Sequence, residues 1–566
     1  MSVVRVSGSL VEIEPEPGVA MSDLVLLGER GLVGEVVAIT ERRVTVQAYE
    51  DTGGLAPGAP VHPQGAPLSA PLGPGLLGGV FDGLLRPLVT AGPWLVPGRA
   101  AWGQDERRWP FLPAVSVGAA VVAGEVLGTV QDGPLTLRVA APAAGVVDDV
   151  APPGPVDADS VVARVQGEEV RVTSRWPVRR PRPHQERIEV AEALHTGQRV
   201  LDLLYPVARG SSAAVPGGFG TGKTVLLQQV AKWCDADVIV YVGCGERGNE
   251  MADVVAELSE LADPRTGDRL LERTVIIANT SNMPMMAREA SIYTGVTVAE
   301  YFRDMGHHVV VIADSTSRWA EALREFASRS GDLPAEEGYP AGLASALAAF
   351  YERAGHVLTL GGHHGSVTII GAVSPAGGDM TEPVTAHSQR FVRSVWMLDR
   401  DLAYARHYPA VAWAGSFSRD ASALASWHAQ QGDPAWARRR ERVIALLADA
   451  DRLSALAELV GAGALPPAER MVILGGRLLR EGVLQQSALS VNDSHCSPAK
   501  GAALVEAVLA VVDRCTALVS AGTPAAAVEE NDFGPLLRVA RETAPDDTAG
   551  VLQCMETVLA ALGAPP

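Results

Sequence analysis

The sequence predicts a multidomain chain: an N-terminal β-barrel, a β-rich insert, a central α/β phosphate-loop domain of the RecA-like kind with a parallel sheet, and a C-terminal helical domain. Three observations carry this. Short alternating runs separated by Gly and Pro occupy residues 1–68, as in small antiparallel barrels, and residues 105–175 are β-rich again. From Arg187 apolar strands alternate with longer helical stretches, the pattern of a doubly wound α/β domain. From residue 421 onward Ala, Leu, Glu and Arg dominate at amphipathic spacing. At 566 residues the chain is too long for one hydrophobic core.

Taken in order, the barrel spans 1–68, with strand runs at Val3–Ile13, Asp23–Leu27, Gly34–Thr40 and Arg43–Tyr49. A Gly-rich connector spans 69–104. The insert spans 105–185, with runs at Val115–Val122, Glu125–Val130, Leu135–Ala140, Gly145–Val150 and Ser160–Val165. Its cadence also suits a lipoate or biotin carrier, but no lysine precedes Lys223, which removes that reading. The α/β domain spans 186–420. Buried parallel strands are expected at Ser212–Val215, Val238–Val242, Thr274–Ala278, Val309–Ala313 and Val367–Val373, and helices at Val225–Cys234, Glu250–Leu261, Ala287–Arg303 and Leu343–Ala354. The helical domain spans 421–566, with helices expected at Ala435–Leu447, Arg452–Leu459 and Glu469–Leu484.

Gly217-Gly218-Phe219-Gly220-Thr221-Gly222-Lys223-Thr224 fits G-x-x-x-x-G-K-[ST], preceded by a strand and followed by a helix that starts near Val225. In such a loop the backbone N–H groups surround the phosphates, the lysine reaches the terminal ones, and the Ser or Thr hydroxyl ligates Mg²⁺. Only three of the chain's 47 basic residues are lysines: Lys223, Lys232 and Lys500. Lysine stands where a compact point charge must sit among phosphate oxygens and a planar guanidinium would not fit.

Composition limits the remaining classes. A net charge of −19 argues against a nucleic-acid surface. The dense basic runs Arg179-Arg180-Pro181-Arg182 and Arg438-Arg439-Arg440 read as solvated faces or docking contacts. No apolar run approaches the ~20 residues that span a bilayer, and no basic-then-apolar leader is present, so a soluble intracellular chain acting on membranes through partners is expected. Five cysteines without paired spacing fit a reducing compartment. His307-His308 and His363-His364 make poor metal sites, because neighbours on a strand face opposite ways.

Hydrolysis needs a held metal, an activated water and neutralised γ-phosphate charge. Asp314 closes the strand Val309–Ala313, where a carboxylate either supports Mg²⁺ or caps the next helix. Glu246 and Arg247 follow the strand after the phosphate-loop helix, flanked by Gly245 and Gly248. There Glu246 can polarise water and Arg247 can contact γ-phosphate oxygens; away from a site such a pair is a surface ion pair. Arg318, one turn beyond Asp314, either faces the phosphates or pairs with Glu321 or Glu325.

With these motifs assembled, the sequence resembles the catalytic A subunit of the V/A-type rotary ATPases. The segments carrying the resemblance include Trp176-Pro177-Val178-Arg179, Thr196–Asp202, the phosphate loop, Gly243–Met251, Ala278–Pro284, Ala313–Glu321, Pro334–Pro340 and Ser374–Asp379. The insert matches the bulge that distinguishes the catalytic chains of this family. The resemblance implies ATP hydrolysis or synthesis coupled to proton or sodium translocation. It implies an A₃B₃ ring with B-type subunits that supply an arginine in trans, central shaft and peripheral stalk subunits, and a membrane ion-translocating ring. The chain would sit peripherally on the cytoplasmic side of the cell membrane.

Residue by residue, the resemblance implies that Gly217, Gly218, Phe219, Gly220, Thr221, Gly222, Lys223, Thr224 and Val225 bind ATP or ADP, with Lys223 on phosphate and Thr224 and Asp314 on Mg²⁺. Glu246 would activate water, Arg247 and Arg318 would contact the γ-phosphate, and Tyr408, Gln485, Gln486 and Ala488 would enclose adenine. Tyr408 also fits as ordinary core. Thr221 stands where eukaryotic members have a cysteine, so a disulfide from the loop to Cys496 cannot form. Gly342, Ala346 and Leu489 also depart from the family pattern. Two rivals remain. A Rho-type RNA translocase would need a basic front end, which residues 1–175 lack; a non-catalytic regulatory nucleotide binder would lack Lys223 or Glu246.

Overall fold

The computed structural model describes residues 1–89, 97–98, 107–263, 266–331 and 333–563. It divides into two compact units. One comprises Met1–Glu189, Ala236–Val373 and Thr381–Phe391; the other comprises Val190–Asp235, Ser374–Met380 and Val392–Pro566.

In the first unit, six antiparallel strands form the N-terminal barrel in the order Val3–Ser7, Leu10–Ile13, Val44–Ala48, Leu32–Ile39, Asp23–Leu27, Val61–Pro67. The Val3 N–H donates to the Ala59 carbonyl (2.9 Å) and the Val61 N–H to that of Met1 (3.1 Å), bringing the first and last strands together. Alternate residues such as Val25, Leu27, Val44 and Val46 point inward, as the period-two pattern requires. The expected single run Val3–Ile13 is a hairpin, because Gly8 turns the chain at φ +61°.

The insert is two four-stranded antiparallel sheets enclosing a core around Phe111, Leu127, Val130, Val147 and Val162. The expected strand Val115–Val122 survives only at Ala120–Val121. Gly118, at φ +86°, breaks the run.

The same unit carries the parallel strands His364–Val373, His308–Asp314, Val238–Cys244, Thr274–Asn279 and Val80–Phe81, adjacent in that order. The last lies in the segment expected only to connect domains. Its neighbour, Thr274–Asn279, is buried throughout and pairs with it through Ile276 and Ile277. The helix Met285–Asp304, nearly all buried, packs on these strands, and Gly295 lets it approach: a Cβ there would lie 2.4 Å from Val242 Cγ2. Arg353 clamps the same helix, donating to Glu300 (Nη2–Oε2 2.5 Å), Thr297 (2.9 Å) and the Val178 carbonyl (2.6 Å).

Neither basic run is a free solvated face. Arg179 bridges Glu35 of the barrel (2.9 Å) and Glu289 of the helix (2.5 Å), and Arg182 pairs with Asp304 (2.6 Å). In the second unit Arg439 is buried against Asp433 and Glu506, and Arg440 donates to the Leu204 carbonyl (2.9 Å). Apart from Asp433, their acceptors are distant in sequence, so the runs read as surface.

In the second unit Ser212–Pro216 runs parallel to Ser394–Val395 and leads into the helix Lys223–Trp233. The C-terminal part is helical from Ala421–Gln430 to Thr548–Leu562. The two helices expected at Ala435–Leu447 and Arg452–Leu459 are one, Trp436–Val460. Nothing in Ala448-Asp449-Ala450-Asp451 breaks it, and Ala450 and Leu453 are buried. The stretch Glu469–Leu484 ends its α-helix at Leu479 and closes with a wider turn, Gln485 N–H to Arg480 carbonyl, 2.9 Å.

The Gly295 approach gives a test of this packing. Gly295→Ala forces a methyl into Val242 and is expected to cost about 1–3 kcal/mol, read as a lowered thermal midpoint.

Candidate active site

The phosphate loop, in the second unit, is built as its sequence requires. Gly220 and Gly222 take φ +79° and +82°, which a side chain would strain. Thr221 is buried and donates to the Gly218 carbonyl (2.9 Å), tying the loop across itself. Gly217 is buried, with Thr221 Oγ1 and Leu398 Cβ each 2.8 Å from where its Cβ would be. Lys223 opens the helix and donates from Nζ to the Gly217 carbonyl (3.0 Å); Thr224 is half-buried beside it. The N–H groups of this first turn have no earlier helical carbonyl to bond, and the helix dipole adds positive potential there. Phe219 is 97% exposed at the loop tip and Val225 50% exposed.

Tyr408 stands against this loop, its Cε1 and Cδ1 at 3.1 and 3.4 Å from a Cβ built on Gly222, and it is 41% exposed. It is therefore a surface-facing ring rather than core. Gln485 is half-buried and donates to the Arg406 carbonyl (3.2 Å). Gln486 is placed differently. Its backbone N–H donates to the Tyr408 carbonyl (2.8 Å), its Nε2 to the Gly197 carbonyl (3.0 Å), and its Oε1 accepts from the Arg199 N–H (2.9 Å). Both ends of that carboxamide are committed within the protein. Ala488 is half-buried, and Leu489 projects into solvent, 98% exposed.

The first unit gathers the charged groups at the carboxyl ends of its parallel strands. Asp314 ends His308–Asp314 opposite Gly243, is 1% exposed, and accepts at Oδ2 from the Tyr241 hydroxyl (3.2 Å). The N-cap position of the helix after it is held by Ser315, so the carboxylate is not at the cap. Just past Val238–Cys244 the chain turns at Gly245 (φ +75°), where a Cβ would lie 2.8 Å from Arg318 Cβ. The Gly245 N–H donates to the Asn279 carbonyl (2.7 Å) and the Ser281 N–H to the Glu246 carbonyl (2.9 Å), which fixes the loop against the adjacent strand end.

Glu246, on that loop, has its pKa raised to about 7. Burial is the main cause; Asp314 and Glu250 repel the charged form, and the Arg318 guanidinium opposes them. A carboxyl titrating near neutrality is suited to accept a proton from water.

Arg318 sits half-exposed, with Nη1 on both Glu321 oxygens (3.1 and 3.0 Å), so the helix pairing and the field at Glu246 hold together. Arg247 reaches solvent, 71% exposed, with a loose 3.9 Å ion pair to Glu250. Tyr241 is a site residue that the motifs do not mark. Its signal is a hydroxyl inside the otherwise apolar run Val238–Val242, which must find a buried partner.

Fold and site together define a phosphate-loop nucleotide-binding protein of the ATP synthase alpha/beta kind. Family models match in chain order: the ATP synthase alpha/beta family beta-barrel domain (residues 3–65), the ATPsynthase alpha/beta subunit barrel-sandwich domain (104–179), the ATP synthase alpha/beta family nucleotide-binding domain (197–418) and the C-terminal domain of V and A type ATP synthase (425–525). A V-type ATP synthase alpha chain from Nitrosococcus oceani is 47% identical over 559 residues, covering 96% of this chain and 94% of the relative. Another from Anaeromyxobacter dehalogenans is 48% identical over 561 residues, 95% of each. The corresponding chain of the A-type ATP synthase from Thermococcus onnurineus is 46% identical over 537 residues, 92% of each.

A solved structure of the ATPase EscN of the enteropathogenic E. coli type III secretion system shares the fold. Its TM-score is 0.63 at 23% identity, covering 90% of this chain and 99% of that one. The chain belongs to the V/A-type ATP synthase alpha-chain family: it is the ATP-hydrolysing or ATP-forming component of a multisubunit, membrane-associated rotary complex whose turnover is coupled to ion transport. No helix among the described residues is long and apolar enough to cross a membrane.

Gly245→Ala tests whether the loop geometry matters. The added methyl meets Arg318 Cβ in a left-handed backbone, and a displacement near 1 Å of Glu246 is expected to lower ATP turnover by about 10²-fold, with the complex still assembled by size-exclusion chromatography.

Proposed function

We propose that Glu246 is the group that activates the attacking water, and that Lys223, Arg247 and Arg318 stabilise the γ-phosphate as its bond is cleaved or formed. The observation that carries this is the Glu246 carboxyl, pushed up to about 7 at the end of a buried strand between Asp314, Glu250 and Arg318. The deprotonated carboxylate takes a proton from water as oxygen attacks phosphorus; the guanidinium and ammonium groups offset charge that develops on the transferred phosphoryl oxygens. Tyr408, Gln485 and Ala488 enclose adenine, and residues 217–225 hold the phosphates.

Thr224 and Asp314 are the residues to hold Mg²⁺. Both offer oxygen, the donor that a hard divalent cation takes, and the mutual repulsion of Asp314 and Glu246 marks a place where added positive charge is favourable. The ion, when bound, neutralises charge on the β- and γ-phosphates.

We further propose an A₃B₃ ring in which a B-type partner supplies an arginine in trans, with shaft and stalk subunits transmitting rotation to a proton- or sodium-carrying membrane ring. The chain then faces the cytoplasm at the cell membrane. The coverage of the V and A type relatives along almost the whole chain supports this assembly.

Lys223→Ala and Glu246→Gln in the purified complex are expected to abolish ATP hydrolysis; persistence of wild-type turnover in both would overturn the assignment. The pH dependence has a definite sign. A base must be deprotonated, so kcat/KM is expected to climb as pH rises through about 7, and a flat profile between pH 6 and 8 would count against Glu246.

Stability moves the other way. A carboxyl whose folded pKa lies above its unfolded value of 4.5 stabilises the fold fully below 4.5 and loses that contribution as pH rises through about 7. Glu246→Gln is therefore expected to match the parent's thermal midpoint at pH 5 and exceed it at pH 8.

A further inference from the structure

The second unit holds a buried ion pair outside the residues of the phosphate loop. Arg199 is 3% exposed at the start of the helix Arg199–Leu204, and Asp493 is 0% exposed. The guanidinium spends each nitrogen on a different acceptor: Nε on the Val483 carbonyl (2.6 Å), Nη2 on the Gln485 carbonyl (2.7 Å) and Nη1 on Asp493 Oδ1 (2.7 Å). Asp493 Oδ2 in turn accepts the Ser487 N–H (2.8 Å). Two side chains thus grip the segment 483–487 at three backbone positions.

That segment is where the base-side residues lie. The Gln486 carboxamide spans from the Gly197 carbonyl to the Arg199 N–H, while its own N–H holds the Tyr408 carbonyl. Tyr408 stands on the phosphate loop at Gly222. A chain of direct contacts therefore runs from the Arg199 backbone through Gln486 to the backbone of Tyr408, and from the guanidinium through the Gln485 carbonyl to Gln485 itself. Lys223 is held separately, by the Gly217 carbonyl of its own loop.

We propose that Arg199 and Asp493 are positioning residues for the adenine side of the nucleotide site, fixing the 485–488 segment and Tyr408 at the height of the base while leaving phosphate binding to the loop. The guanidinium suits this task because its planar fork presents donors in several fixed directions, which an ammonium cannot do at once. The inference rests on the reading of Tyr408, Gln485 and Ala488 as base contacts.

The test separates base from phosphate. In the purified complex, KM for ATP and kcat are measured beside the inhibition constant of inorganic tripolyphosphate, which has phosphates but no base. For Arg199→Lys we expect KM for ATP to rise about tenfold, kcat to change little, and tripolyphosphate inhibition to stay within about twofold. Asp493→Asn, which keeps the shape of the side chain, carries the same expectation and serves if Arg199→Lys does not assemble.

Equal weakening of ATP and tripolyphosphate, or no change in either, overturns the inference. Tyr408→Ala distinguishes the two levels. If it leaves the ATP-to-tripolyphosphate ratio unchanged, the base-site reading fails; if it shifts the ratio while Arg199→Lys and Asp493→Asn do not, only the positioning role fails.

Discussion

One carboxyl group sets the terms for the first unit. Glu246 sits close enough to other charges, and far enough from water, for its pKa to be raised to about 7. The chain reaches that balance with three carboxylates and one guanidinium. Burial, Asp314 and Glu250 push the proton on, and Arg318 pushes it off. The strand before Glu246 and the turn that carries it hold these charges in place. A strand buried along its whole length cannot slide without exposing apolar surface, so Gly243 stays opposite Asp314, and Gly245 is the one residue that lets the next turn pass over Arg318.

Arginine does structural work throughout the molecule. Arg353 ties Glu300, Thr297 and the Val178 carbonyl together; Arg179 joins the barrel to the helix Met285–Asp304; Arg199 gathers three acceptors within the unit that carries the phosphate loop. In each case one cation satisfies several buried oxygens that water no longer reaches. The pairs are costly to break, because the surviving partner would be left charged in a low-dielectric interior. The high arginine content thus reports internal cross-links as well as surface, and a net charge of −19 does not mean that the cations are idle in solvent.

Much of this is legible in the sequence. The parallel strands follow from unbroken apolar runs, and several match to within a residue or two, because a strand buried on both faces leaves no polar position to confuse its limits. Asp314 and Glu246 stand out by their places at or just past strand ends, and Lys223 by the phosphate-loop pattern before its helix. Contacts between residues far apart in the chain are not legible. Arg179 and Arg439 look like solvent charges until Glu35, Glu289 and Glu506 arrive from elsewhere. Gln486 reads as a ligand contact because its type and place suit one; its hydrogen bonds to Gly197 and Arg199, which reach it from far along the chain, are not legible. Helix ends mislead in the same way: polar residues in Ala448–Asp451 suggest a break, whereas the helix continues until a residue such as Gly461 stops it.

The scarcity of lysine has a structural counterpart. None of the three is exposed: Lys223 is half-buried, Lys232 is buried on the same helix, and Lys500 is fully buried. Lys500 donates to the carbonyls of Ala540 and Thr543 (2.9 Å each), at the end of the helix Gly534–Glu542, where the last carbonyls have no helical partner and carry the negative end of its dipole. Lys223 likewise donates to a backbone carbonyl, that of Gly217. Both sites ask for a small cation with donors free to rotate onto oxygens that converge from one side, a geometry that a flat guanidinium on a longer reach would overfill. Where solvent tolerates either cation the chain uses arginine. The ammonium is kept for the interior, and the same steric demand that seats Lys500 under a helix end suits Lys223 to a cluster of phosphate oxygens.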